Sequence, residues 1–467
     1  MQKKEKQKNN ITPSVDNTFC YYPFSQLALK EWIKERGIIN AAPCCNSIRP
    51  EHNDPLNVKV HLENNQDTPE QIFNNSKMKK LREDMLNNKR NNICKVCWDI
   101  EDMGGKSYRL HSLPPGCKTQ HSLFDANKPK LQGFDFGFGE NCNLRCRMCY
   151  PGLSNKLTHD YKYFVDNKVN TQNIDGFDYQ KDKSKSGKNH GPYYLYTRNN
   201  SHNEVVNWDS NHQWQHILDN IADLRQIKAT GGETTLSEGF LTLIDHAIET
   251  NNSKNIMLEF HSNGTKFTNT FVEKMKLFGE CRINISIDSI GKNYEYIRYP
   301  MNFSKLESSV SNLLDKWSSN DPPLSIVLVS VFSCLNAHYL YDLYTWWKKN
   351  IKSKINKSGF YIDKLWPDNK FINVKFLPKK QKLEILNVLN QIQREQIISV
   401  DNIIKYLEHH IDNEPVKQNK LNMLKEITMF DLSRNQLYKD YLHPSMTEYL
   451  DTVMIKSKSK SKAKKKK

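Results

Sequence analysis

The sequence predicts an α/β protein: a partial (β/α)6 barrel preceded by a small cysteine-rich module and followed by helices. Three observations carry that expectation. From residue 131 onward, short β-branched or aromatic runs alternate with helix-length amphipathic stretches, the pattern of repeated β-α units around a parallel sheet. A phenylalanine-rich run at 133–138 leads straight into three closely spaced cysteines. Five or six further cysteines fall within residues 17–117.

The 467 residues have room for two or three domains. Of the formal charge of +16, eight units come from the lysines of 456–467 (KSKSKSKAKKKK) and a net three from 1–10, leaving +5 over 11–455. The ends, 1–16 and 456–467, cannot bury apolar surface and are expected to be unstructured, the second leaving open a salt-sensitive contact with nucleic acid. Apolar residues make up 37% of the chain, below the usual share, while aromatics hold 10%, so polar segments dilute a normal core and disorder throughout is excluded. The longest near-continuous apolar run, 324–332, is far shorter than the roughly 20 residues of a membrane helix, and the N-terminus has no export signal. A soluble, cytoplasmic protein without a membrane partner is expected.

Eleven cysteines, an odd and clustered set, argue for metal ligation in a reducing compartment over a disulfide framework. Residues 17–117 carry little strand signal and read as a metal-stapled module. Strands are expected at 133–138, 226–230, 256–261, 282–288, 324–333 and 373–377, with helices at 237–250 and 305–317 between them. A polar insertion at 166–207 reads as a surface loop, and the next helix should start near Asp209. Residues 381–453 read as helices.

The most informative segment is GFDFGFGENCNLRCRMCY, where Cys142-x3-Cys146-x2-Cys149 follows a strand at its C-terminal end. Loops at that edge of a barrel carry chemistry because they vary without disturbing the packed strands. Three cysteines are one fewer than a four-thiolate cluster site requires, which leaves a metal position open to an exchangeable ligand. This spacing resembles the signature of the radical S-adenosylmethionine (radical SAM) enzymes, and the resemblance covers residues 131–380. Three more segments are similar to the family's motifs in the expected order: Gly231-Gly232-Glu233, then Ser262-Asn263, then Ser286 and Asp288 followed by Arg298.

The resemblance implies a [4Fe-4S] cluster on Cys142, Cys146 and Cys149, with SAM on its open iron. It implies that Gly231, Gly232 and Glu233 hold the methionyl ammonium, and that Ser262, Asn263, Ser286, Asp288 and Arg298 contact the carboxylate and ribose of SAM, Asp288 being the choice for a ribose hydroxyl. Segments 329–336 and 374–378 could line the adenine side. One departure stands out: many members carry an aromatic residue before the third cysteine, where this chain has Met148, with Tyr150 as a substitute. The implied reaction is one-electron cleavage of SAM to a 5′-deoxyadenosyl radical, which abstracts hydrogen from a substrate carbon. An electron donor of the flavodoxin or ferredoxin type is the implied partner.

Upstream, Cys20, Cys44, Cys45, Cys94 and Cys97 offer four well-placed thiols, one of the adjacent pair being surplus. Four thiolates suit structural zinc or an iron–sulfur cluster. The run Cys94-x2-Cys97-Trp98-x2-Glu101, continuing through Gly104, Ser107 and Arg109, resembles radical SAM proteins with the auxiliary-cluster fold called twitch, a shortened SPASM domain. An auxiliary [4Fe-4S] cluster is expected, with zinc as the alternative. The order departs from the family, whose auxiliary modules usually follow the barrel. Neither the choice between Cys44 and Cys45 nor a role for Cys117 follows from sequence, while Cys281 and Cys334 read as core residues.

The substrate implied by such subgroups is a peptide or protein side chain; a nucleoside or small metabolite is the alternative within the class. A zinc-stabilised, non-catalytic binding protein is the alternative outside it. No HExxH, GxxxxGK[ST] or GxSxG pattern points to a different chemistry.

Overall fold

The computed structural model describes residues 18–31, 38–47, 58–61, 67–102, 104–105, 107–111, 124–149, 153–169, 212–365 and 370–464. The expected basic end at 1–16, Cys117, Tyr150 and nearly all of the 166–207 insertion lie outside them.

Nine strands form one open sheet in the order β3-β2-β1-β4-β5-β6-β7-β8-β9. Six of them follow in sequence and run parallel: β4 (Gly133–Gly137), β5 (Gln226–Thr230), β6 (Met257–Ser262), β7 (Glu280–Ser286), β8 (Leu324–Phe332) and β9 (Lys357–Lys364). Five of the six strands read from the sequence are therefore in place, and six parallel strands follow one another. The register places Asp135, Lys228, Glu259 and Arg282 in one row across β4 to β7, and His261, Asn284 and Val327 in a row above it. Side chains alternate in a strand. One face accordingly carries the buried Phe134, Phe136, Ile227, Ala229, Leu258, Phe260, Ile283 and Ile285, and the other carries the polar row.

The longer helices are α1 (Ser76–Leu86), α2 (Lys95–Asp102), α3 (Thr158–Asp166), α4 (His212–Asp219), α5 (Glu238–Glu249), α6 (Asn269–Met275), α7 (Gly291–Ile297), α8 (Phe303–Lys316), α9 (Leu340–Trp347), α10 (Lys379–Arg394), α11 (Asp401–His409), α12 (Lys417–Arg434) and α13 (Pro444–Lys464). Helix α5 starts where Ser237 accepts the Phe240 amide, a side-chain N-cap legible in the sequence. Cys281 and Cys334 are core residues, 0% and 1% exposed. No described helix is long and apolar enough to cross a membrane.

Three expectations are corrected. The stretch 17–117 supplies three strands to the main sheet: β1 (Gln26–Glu31), parallel to β4, then β2 (Ile38–Ala42) and β3 (Val58–His61), antiparallel. Strand β1 pairs with the distant β4, which local patterning does not register, and β2 and β3 add to its other side. The sixth parallel strand is 357–364, and 374–376 is a 3₁₀ turn. Strand β9 lies at the sheet edge with Lys357, Tyr361, Asp363 and Lys364 exposed, so its sequence reads as polar, whereas Val374 and Leu377 are apolar because they are buried. The lysine-rich end continues α13 to Lys464 instead of being unstructured over 456–464, lysine and alanine being good helix formers.

Candidate active site at the C-terminal edge of the sheet

Strand β4 delivers the cysteine loop along a stack of Phe134, Phe136 and Phe138, with ring centroids 5.4 and 5.2 Å apart. The loop is then stitched to the edge on both sides. Gly232 N–H donates to Gly139 O (2.9 Å) and Glu233 N–H to Asn141 O (2.7 Å), while Arg145 and Arg147 donate their amides to Tyr299 O (2.7 Å) and Ile297 O (2.9 Å).

The glycine pair serves this close approach. A Cβ on Gly232 would stand 2.6 Å from the Asn141 carbonyl carbon and closer still to its oxygen, and Gly231 has φ +148°. The resemblance gave these glycines a part in holding SAM; the neighbour they admit here is the backbone of the cysteine loop.

The three thiols Cys142, Cys146 and Cys149 are brought together. Burial pushes the Cys146 thiol up, and Cys149 and Cys142 are near enough to add to that, with the Arg298 guanidinium opposing. Arg298 Nη1 lies 3.9 Å from Cys146 Sγ, Asn263 Nδ2 lies 4.0 Å from Cys142 Sγ, and the Leu144 amide donates to Cys142 Sγ at 3.4 Å. Donors facing sulfur favour the thiolate.

Glu233 is 1% exposed, and burial raises its pKa above the ordinary carboxyl value. Its Oε1 accepts from Thr235 N–H (3.2 Å), Thr235 Oγ1 (2.7 Å) and Ser262 Oγ (2.7 Å); Oε2 accepts from Asn263 N–H (2.6 Å). Asp288 takes Arg298 Nε (2.7 Å) on Oδ2 and Val331 N–H (2.8 Å) on Oδ1. Both its oxygens are thus engaged, and the group it presents to the cysteines is Arg298. Ser286 is half-buried on β7 beside Val329 of β8, and Met148 is 7% exposed in the core.

Sequence reasoning missed what fixes the loop from behind. Arg147, 2% exposed, donates to Tyr296 O (2.9 Å), Ile427 O (3.1 Å), Asp431 Oδ1 (2.7 Å) and Gln436 Oε1 (2.9 Å), with its guanidinium 3.5 Å from the Tyr296 ring centroid. Helix α12 is therefore a wall of the cysteine site. The signal available was two arginines between the cysteines, each requiring a partner.

The N-terminal thiols gather in a second place. Cys20, Cys44, Cys94 and Cys97 line one narrow recess, together with Tyr22, Tyr108 and Arg109 among others. Burial holds the Cys20 thiol up at about 12, with Cys97 adding, and raises Cys44 and Cys94, each with the other thiols of this group as neighbours. Cys45 faces elsewhere: its charged neighbours are Lys228, Asp135 and Lys30 on the polar side of the sheet. The residues Trp98, Glu101, Ser107 and Arg109 form a strut behind the recess. Arg109 pairs with Glu101 (2.6 Å), lies 4.7 Å from the Trp98 ring, and donates to Phe19 O (2.7 Å), beside Cys20; Ser107 donates to Glu101.

Donor chemistry fits iron–sulfur groups in both places: three thiols beside an arginine, and four thiols with no carboxylate among the recess residues. A single zinc ion would require four sulfurs at about 2.3 Å from one point. Among the described residues, no three His, Cys, Asp or Glu side chains converge tightly enough to hold one ion.

No family model matches the sequence. No curated protein matches it. Solved structures with some likeness include Streptococcus suis SuiB bound to its precursor peptide SuiA, at 11% identity over 67% of this chain and 62% of that one, TM-score 0.34. Another is anSMEcpe with bound AdoMet and Cp18Cys peptide, at 16% identity over 56% and 59%, TM-score 0.31. A third is the radical S-adenosylmethionine methyltransferase TsrM from Kitasatospora setae, with cobalamin and a [4Fe-4S] cluster bound, at 11% identity over 33% and 28%, TM-score 0.24. This chain spans less than two thirds of each, and likenesses of this size bear on neither its activity nor its residues.

Proposed function

We propose that this chain is a radical SAM enzyme with a [4Fe-4S] cluster on Cys142, Cys146 and Cys149 and an auxiliary cluster of the twitch type on Cys20, Cys44, Cys94 and Cys97. The observation that carries the reading is the meeting, at one sheet edge, of three thiols with Arg298, Asn263 and Glu233. A scaffold that only bound zinc would have no use for that combination.

When bound, the reduced cluster and SAM supply a one-electron cleavage that yields a 5′-deoxyadenosyl radical, chemistry no side chain can provide. The chain's own part is to hold and to exclude. Cys142, Cys146 and Cys149 would hold the cluster, one thiolate short of a full set. Glu233 Oε1 is filled by three donors, whereas Oε2 has one and can take an ammonium hydrogen. Arg298, aimed by Asp288, sets a positive charge beside Cys146 and offers its remaining donors to a carboxylate. The phenylalanine stack under the loop keeps that side of the site dry.

For the substrate, the favoured reading is a peptide or protein side chain, supported by the likeness of 94–109 to auxiliary-cluster subgroups that act on peptides; the one-electron donor is of the flavodoxin or ferredoxin type. The deciding experiment measures iron, acid-labile sulfide and zinc after anaerobic reconstitution, in wild type and in the Cys142→Ala/Cys146→Ala/Cys149→Ala variant, alongside 5′-deoxyadenosine formation from SAM and dithionite. About eight irons falling to about four, with cleavage lost, is expected. Zinc without iron in both proteins would leave the binding protein instead.

A further inference from the structure

On the polar face of the sheet, below the SAM-site edge, a charged group is incompletely satisfied. Lys30, Asp135 and Lys228 come from β1, β4 and β5, and they are 7%, 0% and 4% exposed. Lys30 is complete: its ammonium donates to Asp135 Oδ1, Phe136 O and Thr230 Oγ1. Lys228 is not. Its Nζ makes one hydrogen bond, to the neutral Tyr108 Oη at 2.7 Å, and lies 3.7 Å from Asp135 Oδ2.

The balance of donors and acceptors says what is missing. Lys228 keeps N–H groups without acceptors, and the Tyr108 hydroxyl, which accepts from Lys228, retains its own proton to donate. Against these stands one unfilled acceptor, Asp135 Oδ2, and the Cys45 thiol borders that carboxylate. Two ammoniums share one aspartate here, while Glu259 in the same row is engaged by Gln226, Asn284 and Arg282. The imidazole of His261, next along this face, is held down at about 4 by burial first and by Lys228 next, with Glu259 and Asp135 opposing. On the same face beyond this floor stand Thr230, His261, Ser286, Val327 and Val329, all half-buried.

We propose that Lys228 and Tyr108 form a carboxylate-binding subsite on the floor of the sheet's polar face, one carboxylate oxygen taking the Lys228 ammonium and the other the Tyr108 hydroxyl. As a substrate anchor this rests on the radical SAM reading. It deepens that reading by naming the substrate's handle: an acidic side chain or a C-terminal carboxylate. Lys228 lies two residues, about 7 Å of strand, before Thr230, where β5 ends and the Gly231-Gly232-Glu233 edge begins. Tyr108 also lines the four-thiol recess, so the anchor borders one of the two proposed cluster sites.

The test uses the full, anaerobically reconstituted protein without SAM or reductant, at constant ionic strength. Thermal shift is titrated with N-acetylglycine, N-acetylglutamic acid α-amide, the neutral N-acetylglycinamide and inorganic phosphate, on wild type, Lys228→Met, Lys228→Arg and Tyr108→Phe. A carboxylate probe should stabilise wild type where the neutral amide does not. The concentration for half the shift should rise about tenfold to a hundredfold in Lys228→Met, less in Tyr108→Phe, and little in Lys228→Arg. The stronger of the two carboxylate probes identifies a C-terminus or a side chain. Equal responses to carboxylate and amide, an unchanged midpoint in Lys228→Met, or a response to phosphate alone would overturn the subsite. If Lys228→Met fails to fold, an unchanged midpoint in Tyr108→Phe does the same. Carboxylate binding without SAM cleavage would keep the subsite and sink the enzyme reading; SAM cleavage without carboxylate binding would do the reverse.

Discussion

Cys44 and Cys45 are neighbours in the chain whose thiols meet different groups. Cys44 lines the recess with Cys20, Cys94 and Cys97, while Cys45 borders Asp135 and Lys228 on the polar face of the sheet. Cys44→Ala should therefore lower the iron count by about four, and Cys45→Ala should leave it unchanged. The reverse pattern in an iron and sulfide assay would show the recess assignment to be wrong.

Gly232 is fixed by the loop packed against it. Gly232→Ala should cost about 1–3 kcal/mol through overpacking and displace the cysteine loop, reducing iron bound at Cys142, Cys146 and Cys149. Gly359→Ala, whose Cβ would meet Val327 at an ordinary 3.5 Å, is the control and should change little. Denaturant midpoints and iron content on both variants decide the point; equal effects would argue against it.

Arg147 ties the cysteine loop to α12 through Asp431 at 2.7 Å, both side chains being almost fully buried. Breaking one member of a buried pair leaves the other uncompensated, so Arg147→Met should cost about 3–5 kcal/mol. Asp431→Asn, which keeps a hydrogen-bond acceptor, should cost less. A loss under about 1 kcal/mol in Arg147→Met would show that α12 does not brace the site.

Acid should loosen the C-terminal helices through a histidine pair. His338 and His443 stack with ring centroids 4.4 Å apart, and His338 Nε2 lies 3.4 Å from Glu384. Burial first, and His443 next, hold His338 down at about 4 from its ordinary 6.5, and burial lowers His443 too. The protonated form is thus the one folding disfavours. Stability from His338 is fully present above about pH 6.5 and lost as pH falls toward about 4, an effect on the order of 3 kcal/mol. Urea unfolding at about pH 7 and about pH 4.5 should show a steep loss in wild type and a shallower one in His338→Gln. An unchanged acid slope in that variant would remove the pair as its cause.

Much of the parallel sheet was legible because the strands β4 to β8 set buried apolar residues at alternate positions between turn residues, and α5 carries its own cap at Ser237. The edge strand β9 was not, since half its side chains meet water and read as loop. Strand β1 was not, because its place in the sheet comes from pairing with a distant partner, such as Leu27 with Phe134, and β2 and β3 only extend the sheet from it.

The sequence by itself determined the chemistry on offer: the Cys142, Cys146 and Cys149 spacing, the carboxylate of Glu233, and a surplus of N-terminal thiols, all properties of side chains a few residues apart. Tertiary structure decided which of these groups meet. It put Cys44 and not Cys45 with the other thiols, turned Asp288 toward Arg298, and set Lys30 against Asp135 across 105 residues. Those outcomes depend on strand order and register, and a buried charge or thiol acquires its role only from the neighbours that the fold brings to it.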